Sequence, residues 1–234
     1  MLFAISPLYL VVGRDACPLT RGIFSIFGLM LRFYREMIKY ARMLNADSIA
    51  RRMFVTNSFD GLLSSLGVIL GNYLSGTTSP ASYVGSVIGA SFAMGFFSGV
   101  VATYLSERAE RLRELKRTER IILHTLRGSI YERAAKIVPI YVALWSGLGA
   151  IVLPAIGVTP FTIALLLGVR AATGLLVYTS AMLIVLELFL LGAYLGRISG
   201  ESMVVSGIRL AGIGLAAIAF FTVLSLVFKG TPIG

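Results

Sequence analysis

Five segments of the chain are apolar over the 17 to 25 or so residues that a membrane-spanning helix requires. The sequence is 57% hydrophobic and only 14% charged, whereas soluble domains have about 25% charged residues. We therefore predict an all-α integral membrane protein whose five-helix transmembrane domain covers residues 53–228. The predicted spans lie at about residues 53–75, 82–105, 137–153, 173–195 and 203–228.

The segments outside these spans are of four kinds. Residues 1–30 form an apolar extension with runs too short to span a bilayer, so it is either a surface-bound or re-entrant segment, or Met30 is the true start. Residues 31–52 mix large apolar with basic side chains, which is typical of an amphipathic helix in the headgroup region. A helical connector is predicted at 106–136 and a tail at 229–234. Residues 161–171 are apolar, and periodicity does not decide between a half-helix and an extension of the fourth span.

The basic residues predict the orientation of the spans. Residues 31–52, just before the first span, contain six Lys and Arg residues, and nine lie between the second and third spans, whereas residues 76–81 and 154–160 contain none. Because cytoplasmic segments carry the excess of Lys and Arg, the N-terminus and the connector are predicted to be cytoplasmic and the C-terminus outside. This placement also explains the net charge of +10 without a nucleic-acid partner. No secretory or organellar signal is recognisable, so we expect a prokaryotic cytoplasmic membrane.

Two carboxylates lie within predicted spans, Asp60 in the first and Glu187 in the fourth. An acidic residue inside a spanning helix costs roughly 2.5–3.5 kcal/mol on insertion scales and usually marks a functional site. Both are about 12–15 Å from the predicted cytoplasmic edge at 1.5 Å per residue. Two acids at one depth suit a divalent cation or a proton relay. The alternative is a protonated or hydrogen-bonded carboxyl group with a purely structural role.

Further candidates have weaker signals. Asn57 and Ser64 share a helical face with Asp60 and offer oxygen ligands to a metal ion, or they bond to their own helix backbone. Glu107, Glu110 and Glu114 share one face of the connector, where they either attract a cation or form salt bridges in a solvated helix.

Several classes of function are disfavoured by what the sequence contains. One cysteine and one histidine do not allow a disulfide framework or a zinc site of recognisable spacing. No nucleophile–base pair is visible, so we do not expect an enzyme. No tightly bound cofactor is predicted either.

Two motifs resemble those of the vacuolar iron transporter family. NSFDGLLSSLGVILG in the first span is similar to the family's NDGLVST-type signature, and LLGAYLGRISGESMVVSGIRLAG is similar to its join between the fourth and fifth spans. The resemblance covers roughly residues 50–228. It implies a homodimer that exports Fe²⁺ or a similar divalent ion such as Mn²⁺ from the cytosol in exchange for protons. It also implies that Asp60 lines the translocation path and that Glu107, Glu110 and Glu114 begin a cytoplasmic metal-collecting region.

The chain departs from the family in its second span. The family's S-M-x-x-G-E-Y run supplies a methionine and a glutamate, whereas this chain has Ser98-Gly99 and Ala102-Thr103 at the aligned positions. We predict that Ser98 and Thr103 line the pathway together with Asn57 and Ser64. Glu187 is an addition that could replace the missing acid as a co-ligand or proton acceptor. If the loss is not compensated, the alternative function is a non-transporting membrane protein with an assembly or regulatory role.

Overall fold

The computed structural model describes residues 34–168 and 172–229, of which residues 225–229 are described by their backbone alone. The predicted extension at residues 1–30 and nearly all of the predicted tail lie outside these residues. The described parts of the chain are helical and contain no strand. Their helices are α1 (residues 34–43), α2 (Ala46–Leu74), α3 (Pro80–Ile122), α4 (Ile130–Gly157), α5 (Thr159–Leu167), α6 (Thr173–Ser199) and α7 (Met203–Lys229).

Five of these helices, α2, α3, α4, α6 and α7, are long and apolar enough to cross a membrane. Their number and order confirm the predicted set of five spans in an all-α protein. The chain is therefore an integral membrane protein.

The helices extend beyond the predicted spans on the side of the connector. α3 is 43 residues long, because the second span continues without a break into the first half of the connector. It ends at Ile122, and the next residue, Leu123, has a left-handed φ of 54°. α4 begins at Ile130 after Ser129, whose hydroxyl accepts a hydrogen bond from the Glu132 backbone N–H and so caps the helix. The connector is thus two helix ends and a short loop.

The two prolines of the third span both lie inside α4, although the sequence indicated that Pro154 would follow the end of the helix. A proline removes one backbone hydrogen bond, and packing against a neighbouring helix makes this tolerable within a membrane. Such packing is present here, since the Pro154 ring and the Ala150 carbonyl oxygen both lie against Gly61 of α2.

The predicted helix at residues 31–52 is interrupted within its described part, residues 34–52. Asn45 has a left-handed φ of 49°, which asparagine tolerates better than most residues, and it separates α1 from α2. Residues 46–52 belong to α2 and continue into the first span. The Tyr141 hydroxyl donates a 2.8 Å hydrogen bond to the Asp47 carboxylate and so holds the start of α2 against α4.

Residues 161–168, the described part of the segment 161–171, do not extend the fourth span. α5 is a separate short helix that ends at Gly168, where φ is 63°. Phe161 of α5 stacks on Tyr83 of α3 with ring centroids 4.2 Å apart. These rings belong to a core in which α5 and α6 pack against α2 and α3, through Leu62, Leu66, Ile69, Val87, Val177, Ile184 and Leu188 among others.

Glycines bring the helix backbones close together at several places. A Cβ atom on Gly99 of α3 would lie 2.8 Å from the Gly147 Cα of α4, and one on Gly192 of α6 would lie 2.5 Å from the Ser206 carbonyl oxygen of α7. Gly95 also lies against Gly147, so Gly95 and Gly99 both serve close packing of α3 on α4, as small residues do in membrane helices. At the similar pair Gly85 and Gly89, an added Cβ would have no described atom within 4 Å.

Candidate functional site

Asp60 lies at the midpoint of α2 and its side chain is exposed. The buried residues of α2, among them Ser58, Leu62, Leu66 and Ile69, occupy the opposite side of the helix at 100° per residue. Asp60 therefore points away from the packed core. No ion pair or side-chain hydrogen bond involves it within the described residues.

A row of polar and small residues runs along the same side of α2, and we call it the Asp60 stripe. None of its members is fully buried. Gly67 lies against the Phe221 ring of α7, whereas Gly71 has no described neighbour within 4 Å. A helix side that faces lipid is expected to be apolar, so this side has the composition of a surface that contacts water or another protein. The stripe consists of Thr56, Asp60, Ser64, Gly67 and Gly71.

Glu187 has the opposite environment. It is 7% exposed and packs in the bundle against Gly157 of α4, where a Cβ would lie 3.4 Å from its Oε2 atom. Neither carboxyl oxygen has a hydrogen-bond partner among the described residues, and both are inaccessible. Because an unpaired buried charge is costly, these surroundings favour a carboxyl group that carries a proton.

The structure does not bring Asp60 and Glu187 onto one face of the bundle. Asp60 is on the outer side of α2, while Glu187 is enclosed between α6 and α4. The interpretation of the two acids as joint ligands in one chain rested on their equal depth. Depth along the helices does not specify direction around them, and direction separates the two groups here.

A buried polar cluster joins three helices near the level of Asp60. The Asn57 amide of α2 donates to the Ser146 hydroxyl of α4, and the Thr103 hydroxyl of α3 lies 3.0 Å from the same oxygen. Asn57 and Thr103 were predicted as pathway residues, but Ser146 was not. The only signal for Ser146 in the sequence is a single serine within an apolar span, which by itself more often indicates packing.

The helix turns are wider in α3 just before this cluster. Residues Met94–Ala102 form a π-helical segment, in which hydrogen bonds join residues five apart. Such segments are frequent at functional sites. Here the segment presents Gly95 and Gly99 to Gly147 and directs the next residue, Thr103, to Ser146. Nothing in the spacing of the sequence signals this change of helix type.

The remaining predicted residues lie outside the bundle core. Ser64 is half-buried on the Asp60 stripe, and Ser98 is exposed on α3. Glu107 and Glu114 both bind Arg111, at 2.9 Å to its Nε and Nη1 atoms respectively. Glu110 is on an exposed part of α3, 4.0 Å from Arg113.

Within the described residues, no group of three or more His, Cys, Asp or Glu side chains is placed to hold a metal ion. The three connector glutamates do not converge, because Arg111 lies between two of them and the third points elsewhere. A cation that bound Glu107 and Glu114 would have to replace the guanidinium group. The predicted metal-collecting role of this region stays a prediction.

The chain is similar to Uncharacterized protein MJ0645 of Methanocaldococcus jannaschii. The two are 29% identical over 191 residues, which represent 80% of this chain and 94% of that protein. No family model matches the sequence, and no solved structure matches it.

Proposed function

We propose that this protein is a proton-coupled transporter that moves a divalent metal ion, Fe²⁺ or Mn²⁺, out of the cytosol. The observation that carries the proposal is the exposed position of Asp60 at the midpoint of a helix long and apolar enough to span a membrane. A carboxylate facing lipid at that depth would cost roughly 2.5–3.5 kcal/mol. The Asp60 stripe therefore requires a covering that provides water, a cation or polar groups.

A second copy of the chain is the covering that we propose. In a homodimer with the two stripes facing each other, the Asp60 carboxylates and the Ser64 hydroxyls would supply oxygen ligands, which hard divalent cations prefer. The resemblance of the first-span motif to that of the vacuolar iron transporter family supports the same arrangement. The metal ion is then bound between two chains, which accounts for the described part of one chain bringing too few ligands together.

Glu187 would carry the coupled proton. It is enclosed, and among the described residues it has no hydrogen-bond partner and forms no ion pair. A carboxyl group of this kind takes up and releases a proton when water or a cation reaches it, and it does not need to bind the metal directly. Glu107, Glu110 and Glu114 would attract cations to the cytoplasmic end of α3, where a cation must compete with Arg111.

The orientation with the N-terminus in the cytoplasm and the C-terminus outside is part of the proposal. Its support is the excess of Lys and Arg beside α1, the start of α2 and the end of α3. A prokaryotic cytoplasmic membrane is the location that we propose.

A second candidate function has its own supporting observation. Glu107 and Glu114 are engaged by Arg111, and the second span has Ser98 and Thr103 where the resembling family has a methionine and a glutamate. A chain that had lost transport would show these features. In that case the protein would be a membrane protein of the same fold that assembles with or regulates another.

Metal uptake into proteoliposomes tests the proposal. The purified protein is reconstituted, and uptake of Fe²⁺, Mn²⁺, Co²⁺ and Zn²⁺ is measured with and without a pH gradient. We expect saturable, gradient-driven uptake that Asp60→Asn abolishes. Asp47→Asn is the matched control, because it makes the same chemical change at an exposed position on the same helix and should leave most of the uptake.

The possible results separate the two candidates. Uptake that is lost only in Asp60→Asn supports the transporter. Uptake that survives in Asp60→Asn removes the proposed role of the stripe. No flux for any of the four metals, from protein that elutes as a folded species, excludes this transport activity and leaves the assembly or regulatory role.

A further inference from the structure

A cavity of about 340 Å³ lies between α2, α4 and α6, beside the start of the apolar part of α2. This volume is at the small end of the roughly 300–1,000 Å³ of ligand pockets in proteins. Its walls combine four aromatic side chains with one acid and one base. These are Asp47, Arg51 and Phe54 of α2, Tyr141 and Trp145 of α4, and Tyr194 of α6.

The aromatic side chains of the cavity are held by one another. The Trp145 ring lies 5.9 Å from the Phe54 ring and 6.4 Å from the Tyr141 ring, edge to face in both pairs. Trp145 is nevertheless 41% exposed and Tyr194 is 43% exposed, so a ligand can reach both. Aromatic rings attract cations, and tryptophan does so most strongly. A wall of this composition favours a positively charged organic group.

The Asp47 carboxylate is the acid of the cavity. Its Oδ1 atom accepts a 2.8 Å hydrogen bond from the Tyr141 hydroxyl, which fixes the position of the carboxylate beside the rings. No other side-chain hydrogen bond and no ion pair of Asp47 occurs within the described residues. A carboxylate has about four acceptor sites, so most of them are available to N–H groups of a ligand.

Asp47 and Arg51 line the same cavity without pairing. An acid four residues before a base on a helix is the favourable order for an ion pair. Nevertheless, neither side chain forms an ion pair with the other or with any other described residue. A simple cation in the cavity would be opposed by Arg51, and a simple anion by Asp47. A ligand that carries one charge of each sign matches both.

We propose that this cavity binds the headgroup of a zwitterionic phospholipid with a primary amine, such as phosphatidylethanolamine. The ammonium group would lie against the aromatic wall and donate hydrogen bonds to Asp47, and the phosphate would pair with Arg51. A primary amine is preferred to a quaternary one, since only the former has N–H groups for the carboxylate.

The position of the cavity identifies a lipid as the occupant. Arg51 and Arg52 come directly before the apolar part of α2, and this is the level at which headgroups meet a spanning helix. Tryptophan and tyrosine are enriched at that level without any ligand. The two unpaired opposite charges are therefore the feature that points to a bound headgroup.

The cavity is separate from the Asp60 stripe. Arg51 precedes Asp60 by nine residues, which places the two about 180° apart around α2 at 100° per residue. A lipid bound at Arg51 would therefore not reach the stripe. Metal uptake should not depend on Asp47, and the proposed lipid site does not depend on whether the protein transports a metal ion.

Trp145 reports on the cavity directly, because it is the only tryptophan in the sequence. Its fluorescence is measured on the full-length protein in dodecyl maltoside micelles during titration with dihexanoyl phosphatidylethanolamine. Dihexanoyl phosphatidylcholine and dihexanoyl phosphatidylglycerol are the comparison lipids. We expect a saturable change of emission with phosphatidylethanolamine, and midpoints about tenfold or more higher for the other two, which is the loss expected for a charged hydrogen bond.

Two pairs of variants make the test specific. Asp47→Asn should raise the phosphatidylethanolamine midpoint about tenfold or more, whereas Asp60→Asn makes the same change on the other side of α2 and should not. Arg51→Gln should raise it roughly twofold to fivefold, as expected for an exposed charge pair. Arg52→Gln changes the net charge equally, but Arg52 does not line the cavity, so the midpoint should stay the same.

Each outcome decides the proposal. Selective binding of phosphatidylethanolamine that is weakened by Asp47→Asn and Arg51→Gln, but not by their controls, supports the site. A phosphatidylcholine or phosphatidylglycerol midpoint equal to that of phosphatidylethanolamine would show that Asp47 does not select the headgroup. That result, no saturable change with phosphatidylethanolamine, or equal effects of a variant and its control would overturn the proposal.

Discussion

The contact between α6 and α7 allows a prediction whose size follows from the structure. A Cβ atom on Gly192 would lie 2.5 Å from the Ser206 carbonyl oxygen and 2.9 Å from the Gly207 Cα atom. Both are backbone atoms of α7, so no side-chain rotation relieves the clash and the helices must separate. Overpacking of this kind costs about 1–3 kcal/mol. We expect Gly192→Ala to lower the free energy of unfolding by that amount.

Gly212 supplies the matched control within the same pair of helices. It is exposed, it lies inside α7, and an added Cβ there would have no described atom within 4 Å. Replacing an interior helix glycine by alanine stabilises the helix by roughly 0.5–1 kcal/mol. The same helix gain applies at Gly192 and cancels in the comparison, so Gly192→Ala should be less stable than Gly212→Ala by about 1–3 kcal/mol.

The measurement is unfolding by sodium dodecyl sulfate in mixed micelles, followed by far-ultraviolet circular dichroism. Stability is compared as the free energy extrapolated to zero denaturing detergent. Free energies of unfolding that agree within about 0.5 kcal/mol for Gly192→Ala and Gly212→Ala, the range of neutral surface substitutions, would refute the close approach of α6 and α7.

Two further predictions concern buried polar groups. Ser146→Ala should lower the free energy of unfolding by about 1–3 kcal/mol, because it leaves Asn57 and Thr103 without their shared partner. Ser180→Ala is the control and should not lower it, since that buried hydroxyl has no partner in the described part of the chain. Equal losses of stability for the two variants in the same detergent titration would contradict the polar cluster. Glu187→Leu should raise the free energy of unfolding by about 1–3 kcal/mol, because it removes two unpaired buried oxygens. Glu187→Gln should unfold with nearly the same free energy as the parent protein. Metal uptake by both variants should no longer respond to a pH gradient. A less stable Glu187→Leu variant would mean that the carboxyl group has a partner after all.

The candidate site was only partly predictable from the sequence. Asp60 and Glu187 stand out because each is an acid within a long apolar segment, and Asn57 because it shares a helical face with Asp60. Ser146 does not stand out, since its importance comes from two partners 89 and 43 residues away. The helical spacing of Glu107, Arg111 and Glu114 is compatible with salt bridges, but it does not distinguish solvated salt bridges from a cation site. The burial of Arg111 depends on the neighbouring helix ends.

Some features are determined by the sequence alone because they depend on local composition. The five spanning helices follow from the length of each apolar segment, since a segment that avoids water must satisfy its own backbone hydrogen bonds. Asn45 and Gly168, where the chain leaves α1 and α5, tolerate the left-handed backbone that they adopt, although the apolar pattern located neither break. Neither requires a contact with a distant part of the chain.

The tertiary structure determines which side of each helix faces the bundle and which side faces outwards. Asp60 and Glu187 have similar depths along their helices, yet Asp60 faces outwards and Glu187 faces inwards. Packing against the neighbouring helices sets which side of α2 and of α6 is buried. An apolar span is hydrophobic all round, so it carries little amphipathic signal to indicate its packed side. On α2 the packed side is the one on which Gly61 lies against the Ala150 backbone and Gly149 of α4 lies against the Phe54 carbonyl oxygen, and Asp60 is on the outside.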